Sequence, residues 1–128
     1  MRPLLPALTL AAMIAAGGAR ADLIGDADAG ARAFNECKGC HQVGKGAEDR
    51  IGPHLNGIFG RRAAVHEGYR YSASMERAGV DGLTWTLETL DAYIGNPRAL
   101  VSRTRMSYRG MKDEQARADL LAYLQTLS

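Results

Sequence analysis

The chain has 128 residues, two of them cysteines, and carries 16 Lys and Arg against 14 Asp and Glu. This length suits one domain, and a net charge of only +2 gives no support to nucleic-acid binding, which favours strongly basic surfaces. The charges are unevenly spread, because acids gather near the start of the chain and bases near its end. The basic segment contains Arg98, Arg103, Arg105, Arg109 and Lys112. We therefore expect a dipolar surface.

Residues 1–21 are typical of a cleaved signal peptide. Arg2 precedes the apolar run from Leu4 to Ala16, and Ala19-Arg20-Ala21 forms a small-x-small cleavage site. This run is too short to span a bilayer, which takes about 20 apolar residues. We expect a mature domain over residues 22–128, exported to the periplasm, and removal of the two arginines would bring its net charge to zero.

The segment Cys37-Lys38-Gly39-Cys40-His41 carries the clearest chemical signal. Residues three apart on a helical turn share a face, so both thiols can form thioethers with one porphyrin, and the histidine can then supply the proximal iron ligand. A disulfide, a thioredoxin-like dithiol and a zinc site are the alternatives. Two cysteines exclude a four-thiol zinc site, and no strand pattern adjoins the motif. The motif therefore predicts covalent haem.

The remaining pattern predicts an all-α domain with one long irregular loop. The predicted helices run from Asp26 to Glu36, Ser72 to Ala78, Leu87 to Ile94, Pro97 to Val101 and Glu114 to Thr126. Asp26, Thr86 and Asp113 are candidate N-caps, and Gly79 is expected to end the second helix. Glycines interrupt the chain too often between Val43 and Tyr69 for regular structure, and wrapping around a cofactor would explain so long a loop.

The apolar faces of the first and last helices are expected to pack together. Gly30 and Phe34 lie on one face of the first helix, and Leu120 and Tyr123 belong to the apolar stripe of the last. A glycine on an apolar helix face is readily explained by a closely crossing helix.

A haem iron held by His41 has a second axial position. The candidate ligands are Met75, Met106, Met111, His54, His66 and lysines. Met75 and Met111 are expected to be structural, because methionines in helices usually fill the core. Met106 differs from the other methionines because it lies in a non-helical stretch, and a soft thioether there would raise the reduction potential. The carbonyl of Pro53 can orient the His41 ring, although the sequence alone slightly favours a simple turn proline.

Several ordered motifs resemble those of class I cytochromes c, closest to bacterial cytochrome c2 and mitochondrial cytochrome c. They are the haem motif, Gly52-Pro53-His54-Leu55-Asn56-Gly57, Phe59-Gly60-Arg61, Tyr69-Arg70-Tyr71-Ser72, Leu83-Thr84-Trp85, Leu90-Asp91-Ala92-Tyr93, Asn96-Pro97, Thr104-Arg105-Met106 and the C-terminal run from Arg117 to Leu124. The resemblance covers nearly all of residues 22–128. It implies the cytochrome c fold, with the N- and C-terminal helices crossing and loops wrapped around one haem c.

Carried over residue by residue, the resemblance implies thioethers at Cys37 and Cys40, with His41 and Met106 as the axial ligands. It further implies that the Pro53 carbonyl accepts a hydrogen bond on the His41 side. The remaining implied haem-site residues are Arg61, Tyr71, Trp85 and Thr104 around the propionates and Tyr93 near the distal methionine.

Two departures from the family pattern concern the distal side. Ser102-Arg103 stands where the family usually has Pro-Gly, so we expect a more mobile Met106 loop. Ser74-Met75 stands where the family commonly has an asparagine, which leaves the distal hydrogen-bond network open.

The resemblance implies a single-haem electron carrier rather than an enzyme, without stable membrane insertion and active as a monomer. It would shuttle electrons between a quinol-oxidising complex and a terminal oxidase, reaction centre or reductase. Docking charges are expected at Arg98, Arg105, Arg109 and Lys112. A haem-based ligand sensor or peroxidase-like enzyme with a labile Met106, and a thiol oxidoreductase using both cysteines, are the alternatives.

Overall fold

Residues 23–127 are described by a computed structural model, and helices form all of the regular elements within that range. The five α-helices are α1 (Ala27–Ala33), α2 (Ala73–Val80), α3 (Leu87–Gly95), α4 (Pro97–Leu100) and α5 (Glu114–Gln125), and a 3₁₀ turn at Phe34–Glu36 extends α1. The prediction of an all-α domain is confirmed. The predicted signal peptide lies outside the described residues.

The predicted caps begin three of these helices. The Asp26 carboxylate accepts from the first turn of α1, and the Asp113 carboxylate accepts from Ala116 N–H in α5. The hydroxyls of Thr86 and Thr89 exchange hydrogen bonds with each other's backbone N–H at the start of α3. Each cap satisfies backbone N–H groups that no helical carbonyl can reach, so side chains in the sequence fix where these helices start.

The crossing of α1 and α5 forms one side of the core, as the apolar stripes predict. A methyl group on Gly30 would overlap the Asp119 carbonyl and lie 2.7 Å from Cβ of Tyr123. The rings of Phe34 and Tyr123 pack with their centroids 5.9 Å apart. Leu120, Leu121 and Leu124 are buried on the same side. Gly30 therefore lowers helix propensity in exchange for close backbone contact between the two helices.

The prediction that Gly79 ends the second helix is wrong. The Ser72 hydroxyl caps α2 by accepting from Met75 N–H, and the helix continues through Gly79 to Val80. Gly79 is buried, and a methyl group there would overlap the Ala63 carbonyl. This glycine serves the close approach of α2 to the loop before it rather than ending the helix.

The segment between the haem motif and α2 is irregular, as its glycines predict. Its one sheet-like contact is an isolated bridge between Arg62 and Thr84, and Trp85 N–H donates to the Arg61 carbonyl beside it at 2.9 Å. Within residues 23–127, no helix has the length and apolar character needed to cross a membrane.

Candidate functional site

One cleft of about 950 Å³ lies between the irregular loop, the end of α1, α3 and the segment after α4. This volume is near the top of the range typical of ligand sites, about 300–1,000 Å³. Apolar side chains form its floor: Phe34, Leu55, Ile58, Leu90, Ile94, Leu120 and Leu124. Nine of the ten predicted site residues line it: Cys37, Cys40, His41, Pro53, Tyr71, Trp85, Tyr93, Thr104 and Met106.

The two cysteines and His41 share one hydrogen-bonded turn directly after the 3₁₀ extension of α1. The Cys37 carbonyl accepts from Cys40 N–H at 3.1 Å and from His41 N–H at 2.9 Å. Both thiols are free rather than joined in a disulfide. Burial, followed by the charge of Glu36, raises the pKa of the Cys37 thiol to about 11. A dithiol oxidoreductase needs a lowered thiol pKa, so this environment argues against that alternative.

A hydrogen bond to the irregular loop orients the His41 ring. Its Nδ1 lies 2.6 Å from the Pro53 carbonyl oxygen. Because a carbonyl can only accept, Nδ1 carries the proton and Nε2 keeps its lone pair. Burial lowers the pKa of His41, although the bond to Pro53 opposes the shift. The ring is thus neutral and oriented, as metal ligation requires.

Gly52 makes room for that ring. A methyl group at this position would lie 2.6 Å from Nδ1 and 2.7 Å from Nε2 of His41. Gly52 N–H also donates to the Cys40 carbonyl at 2.9 Å, which closes the loop back onto the motif. Gly52 and Pro53 therefore hold the His41 ring on two sides.

Met106 reaches the cleft on a non-helical segment that Thr104 holds to α3. The Thr104 hydroxyl accepts from Met106 N–H at 3.2 Å and lies 2.5 Å from the Tyr93 hydroxyl. Burial raises the pKa of Tyr93, against the effect of that hydrogen bond. The Tyr93 ring packs on Trp85 with centroids 5.1 Å apart. Thr104 therefore bonds to Tyr93 and the Met106 backbone while lining the cleft.

Three further contacts restrain the Met106 segment. The Ser74 hydroxyl donates to the Arg103 carbonyl at 2.8 Å, and the Arg105 guanidinium donates to the Arg70 carbonyl. The Tyr108 hydroxyl donates to Glu36 Oε2 at 2.5 Å, directly before the haem motif. The two departures from the family pattern thus meet, because Ser74 contacts Arg103. These contacts supply restraint where the family's Pro-Gly turn is missing, and the greater mobility expected from the sequence stays a prediction.

Arg61 is the one predicted site residue that does not line the cleft. Its Nη2 is buried and has no hydrogen-bond partner within residues 23–127. Its charge acts on Tyr71, where it partly offsets the rise in pKa that burial causes. An unpartnered buried guanidinium nitrogen beside an apolar cleft suits an anionic group such as a carboxylate.

The candidate distal ligands differ in whether their side chains line the cleft. Met111 is 7% exposed and packs in the core, whereas Met75 and Met106 both line the cleft. His54 and His66 do not line it and instead lie beside Asp49. The expectation that Met75 is core filler therefore holds only in part, since its side chain also faces the cleft where the family commonly has an asparagine.

Sequence reasoning missed several residues at the cleft. Tyr108 was not singled out, although its bond to Glu36 joins both halves of the site. Arg50 and Arg70 line the rim beside Arg105, and their positions in the irregular loop gave no periodic signal. Arg98 and Arg109 are exposed and do not line the cleft.

These residues fit one haem c. Two free thiols, a neutral imidazole with an available nitrogen and a methionine thioether belong to residues that line one apolar cleft. The buried Nη2 of Arg61 lacks a hydrogen-bond partner in the described part of the chain. Haem c is held by thioether bonds from two cysteines, and imidazole and the methionine sulfur are the iron ligands of cytochromes c. The cysteines, His41 and Met106 suit the iron and porphyrin of a haem, and the unpartnered Arg61 guanidinium suits its anionic propionates.

The cytochrome c family profile matches residues 27–128. A cytochrome c2 from Blastochloris viridis is 41% identical over 115 residues, which are 90% of this chain and 84% of that protein. A cytochrome c2 from Afifella marina is 43% identical over 98 residues, which are 77% of this chain and 79% of that protein. The solved structure of cytochrome c2 from Rhodospirillum centenum is 36% identical with a TM-score of 0.77, covering 81% of this chain and 99% of that one. The chain belongs to the cytochrome c family, as an electron-carrier cytochrome with one covalently bound haem c.

Proposed function

We propose that the protein is a periplasmic single-haem carrier that shuttles electrons between a quinol-oxidising complex and a terminal oxidase, reaction centre or reductase. His41 and Met106 are its axial ligands, and Cys37 and Cys40 form the thioethers. One observation carries the assignment: an oriented neutral imidazole and a thioether from distant parts of the chain line the same apolar cleft. Mixed His/Met ligation is typical of electron-transfer cytochromes.

The chain's own residues prepare this site for electron transfer. When bound, haem c supplies the reversible one-electron change at iron. The Pro53 carbonyl fixes the His41 ring, and Thr104 holds the backbone of Met106. Apolar side chains such as Leu90 and Leu120 exclude water from the cleft. Because both ligand sides are held before electron arrival, little rearrangement accompanies the change in oxidation state.

The distal side gives little support to a peroxidase-like activity. Histidine is the side chain that most often performs general acid–base chemistry at a bound ligand. Among residues 23–127, His41 is the one histidine that lines the cleft. Met75 adds a second thioether rather than a base. We therefore favour outer-sphere electron transfer without a bond to substrate.

We propose that acidic redox partners dock at the cleft rim. Arg50, Arg70 and Arg105 line the cleft and are exposed. The sequence-based docking residues Arg98, Arg109 and Lys112 are exposed as well, but they do not line the cleft. Charges nearest the site of electron exit orient an encounter complex most effectively, and redox encounters are small and transient.

Two matched double variants test the docking surface. Neutralising the rim with Arg70→Gln and Arg105→Gln should slow bimolecular electron transfer to an acidic redox partner by about tenfold at low salt, with convergence at high salt because ions screen the attraction. Arg98→Gln with Arg109→Gln removes the same charge elsewhere. Stopped-flow rates across ionic strength provide the measurement. A larger decrease in the electron-transfer rate for Arg98→Gln with Arg109→Gln would place the docking surface away from the rim.

The carrier function is tested by potentiometry of the periplasmically expressed holoprotein. We expect one reversible one-electron transition, reduction by quinol-oxidising membranes and reoxidation by membranes containing the acceptor. Turnover of hydrogen peroxide with a reducing dye, at rates exceeding those of carrier exchange, would instead favour the enzyme alternative.

A further inference from the structure

A second cluster of metal-binding side chains joins two parts of the irregular loop. Both oxygens of the Asp49 carboxylate lie 3.0 Å from Nε2 of His66. The rings of His54 and His66 meet edge to face with centroids 4.5 Å apart. One ligand atom from each of Asp49, His54 and His66 can be chosen so that all three lie within 4.8 Å of one another. The cleft accounts for Asp49 among its lining residues but for neither histidine.

The carboxylate of this cluster is oriented and ionised. His54 N–H donates to Asp49 Oδ1 at 2.9 Å. Partial burial raises the pKa of the Asp49 carboxyl, but that bond and the His66 ring together hold the pKa below its ordinary value. An anchored carboxylate loses less freedom when it binds an ion, as do carboxylates held by partners in known metal sites.

The His54 side chain has a buried nitrogen without a partner in residues 23–127, which is an independent indication that a ligand binds here. Its Nδ1 is buried and has no hydrogen-bond partner among the described residues. A buried imidazole nitrogen without a partner is costly, and two rings and a carboxylate already converge at this point. His54 and His66 are also the two histidines outside the haem motif, since the chain has three in all.

We propose that Asp49, His54 and His66 form a binding site for a divalent transition-metal ion of the zinc and copper class. Imidazole is the nitrogen donor that suits zinc and copper ions, and carboxylate oxygen is also among the protein ligands of zinc. Zinc holds nitrogen and oxygen donors at about 2.0–2.2 Å, so two donors of one ion lie at most roughly 4.4 Å apart. The Asp49–His66 spacing already satisfies this limit, and small side-chain rotations bring in His54. Water completes the coordination.

The bound ion would staple two segments of the loop. Asp49 and His54 lie on the segment after the haem motif, and His66 lies on the segment before α2. The Tyr69 hydroxyl already donates to the Ile51 carbonyl at 2.6 Å across the same two segments. The competing explanation is a hydrogen-bonded latch in which Asp49 and His66 suffice without an ion.

Zinc titration of the haem-containing protein, after a chelator has removed other bound metal ions, distinguishes the two explanations. Calorimetry should give one Zn²⁺ per chain in the wild type, with binding about 100-fold or more weaker in His54→Gln and in His66→Gln, since even residues behind metal ligands cost about 10–100-fold. Glu67→Gln is the matched control: it changes an exposed neighbouring side chain, and should bind zinc as the wild type does. The visible absorption spectrum verifies that each variant holds haem.

Two outcomes would overturn the proposal. They are the absence of saturable zinc binding by the wild type, and one-to-one binding that survives in both histidine variants. Should either variant fail to fold, Cu²⁺ resonance spectra of the wild type decide the matter. Nitrogen coupling from two imidazoles supports the site, and its absence contradicts it.

Discussion

The two sides of the haem cleft are built by contacts of very different range. On the His41 side, the hydrogen bond to Pro53 joins residues 12 apart in sequence. On the Met106 side, the contacts Ser74–Arg103 and Tyr108–Glu36 join residues 29 and 72 apart. The contact that orients His41 thus lies within one short segment of the chain. Two of the contacts on the Met106 side instead require distant segments to come together. The position of Met106 therefore depends more on the packing of the helices than the position of His41 does.

The largest effect is expected from filling the space beside His41. Gly52→Ala places a methyl group 2.6 Å from the ring nitrogen Nδ1, so the ring must move and stability should fall by about 1–3 kcal/mol, as overpacking usually costs. Denaturant unfolding and the yield of covalent haem measure this. Gly39→Ala is the control, because no atom of the described residues, apart from its two chain neighbours, lies within 4 Å of the added methyl group. Equal loss in both variants would contradict the close contact at His41.

A smaller effect is expected from loosening the Met106 side. Thr104→Val removes the acceptor for Met106 N–H and the partner of the Tyr93 hydroxyl. Each hydrogen bond contributes about 0.5–1.5 kcal/mol, so imidazole should displace Met106 at about tenfold lower concentration, as followed by absorption. Thr126→Val is the control, since its hydroxyl bonds to Tyr123 at the end of α5. Displacement at unchanged concentration in Thr104→Val would show that this contact does not hold the ligand loop.

The smallest effect concerns pH and the contact between the two sides. Burial, followed by the bond to Glu36, raises the pKa of Tyr108. The unfolded chain loses this proton first, near pH 10, so stability from the contact is present below about pH 10 and declines as pH rises toward the folded-state value. Between about pH 9 and 11, on either side of the ordinary tyrosine pKa, the free energy of unfolding should fall more steeply with pH for the wild type than for Tyr108→Phe. Parallel curves would contradict the prediction.

The sequence predicted the parts of the molecule that local chemistry determines. Asp26, Thr86 and Asp113 begin helices because their side chains bond to nearby N–H groups. Gly30 was correctly expected at a helix crossing, whereas Gly79 was misjudged because the same residue type also ends helices. Gly79 is needed for close packing because the Ala63 carbonyl lies against it. Only the fold brings that carbonyl to the helix, so the sequence could not show this role.

The site shows the same division. The haem motif and Met106 have spacing or chemistry that stands out in the sequence. Tyr108, Arg50 and Arg70 become part of the cleft through long-range packing, and no pattern in the chain marks them. Met75 was expected to be filler because methionines in helices usually are, yet its position on the first turn of α2 brings it to the cleft.

The most direct test of the account compares two thioethers that line the same cleft. The absorption spectrum of the oxidised holoprotein should contain a thioether-to-iron charge-transfer band that Met106→Ala abolishes, with a lower reduction potential, because the soft sulfur that favours reduced iron is gone. Met75→Ala is the matched control and should keep the band. A band that survives in Met106→Ala but disappears in Met75→Ala would contradict the assignment of Met106 as the distal ligand.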